Sequence, residues 1–325
     1  VRPFYLANAG AVLADLTVSN GYAAAASRTG YGGGVYLNLA GALLSNCVVK
    51  ACTAEGSGGG VYQNKGSVVD CRIEGNRSLG TAEGNVGGLF VGQSMEARNC
   101  VVVSNQSLAA NGSAGGVALT YFARIFGSEI EDNRGLRTGG IFSRRGNVEH
   151  CLIRGNVASN GLTPNSTEMA GGALYSAEYG MLLRNCLITR NAAHSAYRGA
   201  GGVWGNKRKD YEGTAEIESC TFVSNAYYRV AGVGIGGGAL YFSGSNYLTG
   251  SILYHNYSQF ASTWRDIAMN NADQANTNRY SFNCVGGIPY PLPENLGNIT
   301  ADPQFVDFHG QDFRLKKGSP CINAG

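Results

Sequence analysis

The chain has 325 residues, 49 of them glycine, with 14% charged residues and a formal net charge of +3. So weak a positive balance, without clustered Lys and Arg, gives no support for a nucleic-acid surface, and no apolar run approaches the roughly 18 residues that span a bilayer. The pattern is already running at Leu13, close behind Val1, which reads as a mature or excised piece with more chain upstream.

Taken in chain order, short β-branched segments recur: LADLTVSNG (13–21), LSNCVVKAC (44–52), VVDCRIEGN (68–76), ARNCVVVSN (97–105) and IFGSEIEDN (125–133). VEHCLIRGN (148–156), LRNCLITRN (183–191), IESCTFVSN (217–225) and LTGSILYHN (248–256) continue the series. Aligned, they form columns. One reads Leu16, Cys47, Cys71, Cys100, Ser128, Cys151, Cys186, Cys220, Ser251; the column two residues on is aliphatic or Phe throughout; five after the first comes an unbroken run from Asn76 to Asn256.

Successive steps are 31, 24, 29, 28, 23, 35, 34 and 31 residues, an irregular period around a constant phrase. Strands of fixed length joined by loops of variable length fit this, and a helical solenoid does not. The expected fold is all-β: a right-handed, single-stranded parallel β-helix of about nine to eleven turns, in which equivalent residues stack about 4.7–4.9 Å apart into a rod roughly 40 Å long. Stacked Asn side chains would bond to the turns above and below and tolerate the left-handed backbone of a sharp bend. Paired glycines (33–34, 59–60, 87–88, 115–116, 139–140, 171–172, 201–202, 237–238) would mark a second bend at positive φ. Residues 1–256 are expected to form the repeats, lacking an upstream cap, and 257–325 the last turns and a capping segment of the same domain. The loop around Trp264 would fold over the end of the coil.

The cysteine column reads as buried, reduced packing thiols, since no CxxC-type ligand grouping accompanies it and parallel Cβ vectors suit disulfides poorly. Cys284 and Cys321 lie off the column, and a disulfide between them stays open. No metal or cofactor is expected.

On these phrases, GGG-φ-Y followed by N-C-x-φ-x-x-N, the chain resembles the right-handed parallel β-helix repeats of bacterial surface and secreted proteins, the polymorphic outer-membrane and adhesin-like type. SILYHN (251–256) with GNITADPQFVDFHGQDFRLKKGSPCINAG (297–325) is similar to the closing segment of bacterial β-helix proteins that often precedes a cell-surface anchoring region. The resemblance implies a secreted or cell-surface location. It leaves function open, because the same coil, that of pectate lyases, carries lyases, hydrolases, tailspikes and adhesins.

Two functions follow. The first is a non-catalytic adhesin or glycan-binding protein whose partner is a polysaccharide or a host or cell-surface glycan or protein. The alternative is a polysaccharide lyase or glycoside hydrolase acting on an acidic polysaccharide. The paired carboxylates of a hydrolase are not evident; Glu129, Glu131 and Asp132 read as a solvated face. A lyase needs cations to neutralise the substrate carboxylate, and the candidates are Arg144 and Arg145 with Lys207, Arg208 and Lys209. For ligand binding the candidates are Tyr197, Arg198, Trp204, Tyr211, Tyr227 and Tyr228, in or beside the longest loops. A further stripe, Tyr36, Tyr62, Phe90, Phe142, Tyr175, Trp204 and Tyr241, follows each glycine phrase and is broken near Ala118. Strand alternation turns these rings outward if their aliphatic neighbours face in; the reverse register would stack them inside.

Overall fold

A computed structural model describes residues 1–25, 30–80, 85–107, 114–159, 169–177, 180–206, 215–230, 235–243, 246–259, 266–269, 279–286 and 296–322. Short strands repeat in a fixed cycle. One turn runs Val61–Gln63, Ser67–Val69, Arg72–Glu74 and Arg77–Ser78, and the next cycle begins at Leu89–Val91. Equivalent strands pair in parallel, giving three ten-stranded sheets and one of nine. The chain is a parallel β-solenoid. Past residue 256, Ile267–Met269, Arg279–Ser281 and Cys284–Val285 each add the last strand to one of the ten-stranded sheets. An antiparallel hairpin, Phe305–Asp307 with Asp312–Leu315, follows.

The four sheets are named here by their first strands: the Phe4 sheet, the Val12 sheet, the Thr17 sheet and the Tyr22 sheet. Three-residue strands put their residues alternately in and out, and the inward ones (Val61, Val68, Ile73 and their equivalents) fill one continuous, fully buried core. The cysteine column lies in the same core. Cys47, Cys71, Cys100, Cys151, Cys186 and Cys220 are free and buried, and each thiol donates to the carbonyl two residues before it at 3.1–3.2 Å. Burial pushes the Cys71 thiol up to about 11 and Cys100 to about 12. The column ends in amides: Ser251 N donates to Asn283 Oδ1 (3.0 Å) and Asn283 N to Asn298 Oδ1 (3.1 Å). Cys284 and Cys321 are both free thiols.

The asparagine column is a hydrogen-bonded ladder. Asn105 Oδ1 accepts from both the backbone N and the Nδ2 of Asn76 (2.9 Å each), and Asn105 Nδ2 donates to Ile73 O (2.9 Å) and to Asn133 Oδ1 (3.0 Å). The pattern repeats to Asn256, whose N and Nδ2 end on Asp266 Oδ1 at 3.3 and 2.7 Å. Every amide from Asn76 to Asn256 is buried, so the ladder satisfies groups that water cannot reach.

Two expectations about the bends are corrected. The left-handed residue is not the ladder Asn but the one before it: Ala51, Gly75, Ser104, Asp132, Gly155, Arg190, Ser224 and His255 all have φ between 52° and 65° except Asp132 at 50°. Nor do the glycine pairs need positive φ; Gly32 and Gly58, one residue before a pair, take it instead. The pairs are small because backbones meet there. A Cβ on Gly59 would sit 2.3 Å from Arg77 O and from Gly87 O, and one on Gly60 would sit 2.8 Å from Asn76 Nδ2. Each turn therefore closes where its glycine pair abuts the strand that ends it.

Candidate functional site: an aromatic cleft on the Phe4 sheet

Alternation within the Phe4 sheet sends the second residue of each strand away from the coil core. In register these are Tyr5, Tyr36, Tyr62, Phe90, Ala118, Phe142, Tyr175, Trp204, Tyr241 and Ala268. The stripe thus lies outside the coil core, and its two halves meet different surroundings.

From Phe142 onward the rings stack nearly parallel: Phe142–Tyr175 at 5.8 Å, Tyr175–Trp204 at 4.5 Å and Trp204–Tyr241 at 6.3 Å. They belong to a second hydrophobic core with Ala200, against which Met169 and Ile235 pack. Those residues come from a separate three-stranded sheet, Met169–Gly171, Arg198–Ala200 and Ile235–Gly237, lying over the stripe. Trp204 is therefore fully buried and offers no face to a ligand, a correction to its reading as a binding residue. The same holds for Tyr227, buried with Ala158, Ala170 and Ala193. Its ring passes so close to Gly199 and Gly236 that a Cβ on either would lie 2.8 or 2.4 Å from it.

The earlier half is open. Tyr5 is 51% exposed, and Tyr36, Tyr62 and Phe90 are half-buried. Tyr62 stacks on Phe90 (4.2 Å, 5° between planes) and is flanked by Tyr31 (4.7 Å, 21°). Arg2 lies over Tyr5 and Tyr36, 5.4 and 5.2 Å from the ring centres. A cleft of about 230 Å³ is lined by Tyr31, Tyr62, Phe90, Ala118, Phe142 and Arg144, with Asn85, Ser57, Leu119 and Thr120; Ala118 and Phe142 are themselves buried in the second core. Burial raises the Tyr36 and Tyr62 phenols above their ordinary range, so both are protonated at neutral pH.

The two adjacent arginines part company. Arg144 lines the cleft with its guanidinium 5.8 Å from the Phe142 ring. Arg145 has φ 63°, is exposed, and lies over Phe122 at 4.6 Å. Lys207, Arg208, Lys209, Tyr211 and Trp264 lie outside the described residues. Arg198 sits over the Tyr197 ring at 4.8 Å, and Tyr228, 38% exposed, stacks on His194 at 4.8 Å beside the last strand of the Tyr22 sheet. Neither pair lines the cleft. Tyr31, Asn85 and Thr120 were absent from the sequence candidates; Tyr31 stands one residue before the GGG of its own repeat, which is the one signal it carries.

Carboxylates on the outer faces are engaged by arginine. Arg124 bridges Glu96 (3.0 Å) and Glu149 (2.8 Å), Arg154 holds Glu131 (2.8 Å) and Arg184 holds Glu218 (2.7 Å). Among the described residues no three His, Cys, Asp or Glu side chains are grouped to hold a metal ion. A second hollow of about 570 Å³ lies between Tyr254 and His255 and the C-terminal hairpin, with Asp302, Phe308, His309 and Lys316 on its wall. No model of a protein family matches the chain, and no curated protein is significantly similar to it.

Proposed function

We propose that the chain is an exported bacterial protein, its coil right-handed, that presents the outer face of the Phe4 sheet as a glycan-binding surface and does not turn its ligand over. The observation that carries this reading is the uncovered half of the aromatic stripe. Four rings on rigid, paired strands, with Tyr31 stacked on Tyr62, offer apolar ring surface next to phenolic and amide hydrogen-bonding groups. That is the combination a sugar ring needs, with C–H faces on its flat sides and hydroxyls around its edge. A rigid sheet also lowers the entropy cost of holding such a platform.

The alternative, a lyase or hydrolase acting on an acidic polysaccharide, draws on Arg144 as a cation beside the cleft. It would further require a base within hydrogen-bond reach of the substrate proton. Incubation with a panel of acidic and neutral polysaccharides, read by absorbance of unsaturated products and by reducing ends, separates the two readings when glycan-array binding is run alongside. Binding without product is expected. Product that is lost in Arg144→Ala would overturn the non-catalytic reading.

A further inference from the structure

In the Thr17 sheet the first residue of each strand faces away from the coil core. Thr17, Arg72 and Glu129 hold that position in earlier turns and are exposed. Cys284, in register with Ile252, holds it in the last turn. Yet Cys284 is only 3% exposed, and it stands outside the coil core that contains its neighbour Val285. The C-terminal segment covers it. Ile299 N donates to Asn283 O (2.8 Å) and Val285 N to Ile299 O (3.0 Å), which lays the Ile299 segment along the last turn. Beyond the hairpin, Lys316 N donates to Gln304 O (2.9 Å) and Ser319 Oγ to Pro303 O (2.6 Å), so the chain returns to the same place. Cys321 arrives with it, its N donating to Ser319 Oγ (3.1 Å). The Cys284 thiol then has two acceptors in reach, Ala301 O at 3.2 Å and the Cys321 sulfur.

We propose that Cys284 and Cys321 are a dithiol site that a disulfide oxidant converts to a disulfide, fastening the C-terminal segment to the last turn of the coil. The cysteine column offers no such site. Its thiols lie on successive in-register turns with parallel Cβ vectors, poor geometry for a disulfide, and all are buried. Cys284 and Cys321 come from segments that are not in register, and Cys321 is partly open to solvent. One sulfur is therefore reachable from outside, and the other is reachable from the first. Sulfur atoms already in hydrogen-bonding contact have only to close to about 2 Å to bond.

Cys321 is the attacking group. Its hydrogen bond with Cys284 lowers the thiol to about 7, so much of it is thiolate at neutral pH. The thiolate attacks one sulfur of the oxidant, the oxidant's S–S bond breaks, and one half leaves as a thiolate. Cys284 then gives its proton to solvent and attacks the Cys321 sulfur; the mixed disulfide breaks and the second half leaves. Two protein thiols and one external disulfide become one protein disulfide and two small thiols, with no other reactant. The bond joins residues on either side of the hairpin, a cross-link that restricts the unfolded chain. This clamp does not depend on what the coil binds.

The test incubates the whole chain, reduced and then freed of reductant, with excess oxidised glutathione at neutral pH. Samples are quenched in acid, unfolded, alkylated and mapped by mass spectrometry. A Cys284–Cys321 peptide is expected to form about tenfold faster, or more, than any oxidised product of a column cysteine. Cys284→Ser is expected to stop with glutathione on Cys321, and Cys321→Ser to leave Cys284 reduced. Cys284→Ala carries the same expectation should a hydroxyl disturb the buried position. In guanidinium the oxidised chain should unfold at a higher midpoint than the reduced chain, and the difference should vanish in Cys321→Ser. Glutathione that stays on Cys321 of the parent chain, a column cysteine that pairs first, or two thiols that remain reduced would overturn the site. Equal midpoints for the oxidised and reduced forms would overturn the clamp.

Discussion

Replacing Asn133 by alanine removes one rung of the buried amide ladder. Asn133 Oδ1 accepts from Asn105 N (2.9 Å) and Asn105 Nδ2 (3.0 Å), while Asn133 Nδ2 donates to Val102 O and Asn156 Oδ1 (2.9 Å each). Two of the four partners keep a second bond: Asn105 Nδ2 still reaches Ile73 O, and Asn156 Oδ1 still accepts from Asn133 N. The other two, Asn105 N–H and Val102 C=O, each lose this side-chain partner inside a core that water does not enter. Each costs about 1–3 kcal/mol, so the substitution should destabilise the coil by about 4 kcal/mol. Guanidinium denaturation followed by far-UV circular dichroism measures this as a shift in midpoint at a known slope. Lys50→Ala, on the exposed outer face, should stay within about 0.5 kcal/mol of the parent. A loss below about 1 kcal/mol for Asn133→Ala would refute the idea that the amides hold the turns together.

Gly59→Ala tests the other closure. Its Cβ would fall 2.3 Å from two backbone oxygens, that of the strand residue Arg77 and that of Gly87, which cannot swing away. A loss of about 3 kcal/mol is expected, again by denaturation; a neutral result would mean that the turn closes with room to spare. Thiol chemistry should separate the cysteines. The Cys321 thiol is held down to about 7 by its hydrogen bond to Cys284 and is partly exposed, whereas burial raises the Cys71 and Cys100 thiols of the column. Iodoacetamide labelling read by mass spectrometry should therefore modify Cys321 first. Its rate should rise through pH 7 and level off above about pH 8, because the thiolate is already formed there. The column thiols should react only after unfolding. A Cys321 rate still climbing at pH 9 would contradict the lowered value.

The coil was legible because each turn restates one strand phrase, and strand periodicity is a local signal. The Cys column could be placed in the interior and the Asn column in a stack bonding the turns above and below, and both are found so. The bends were legible in position but not in cause: glycine pairs look the same in sequence whether they supply positive φ or let backbones touch, and only the 2.3 Å approach to Arg77 O distinguishes the two. Trp204 and Tyr227 went astray for a different reason. Alternation says that a ring leaves the coil interior, but not what lies over it. The covering strands Met169–Gly171, Arg198–Ala200 and Ile235–Gly237 run into the glycine pairs of their turns, and nothing in that shared phrase sets these turns apart from the earlier ones. The break at Ala118 was visible from the start. What the break does not tell is that Ala118 and Phe142 are buried in the second core.

The central claim is that ligand is held on the open aromatic half of the Phe4 sheet, and the most direct test compares two single-ring deletions. A glycan selected on the array would be titrated against Tyr62→Ala and against Tyr228→Ala, the latter on the separate His194 stack. The account predicts a tenfold or greater loss of affinity for Tyr62→Ala, equivalent to about 1.4 kcal/mol, and less than a twofold change for Tyr228→Ala. The reverse pattern would contradict it and move the binding surface to the Tyr22 sheet.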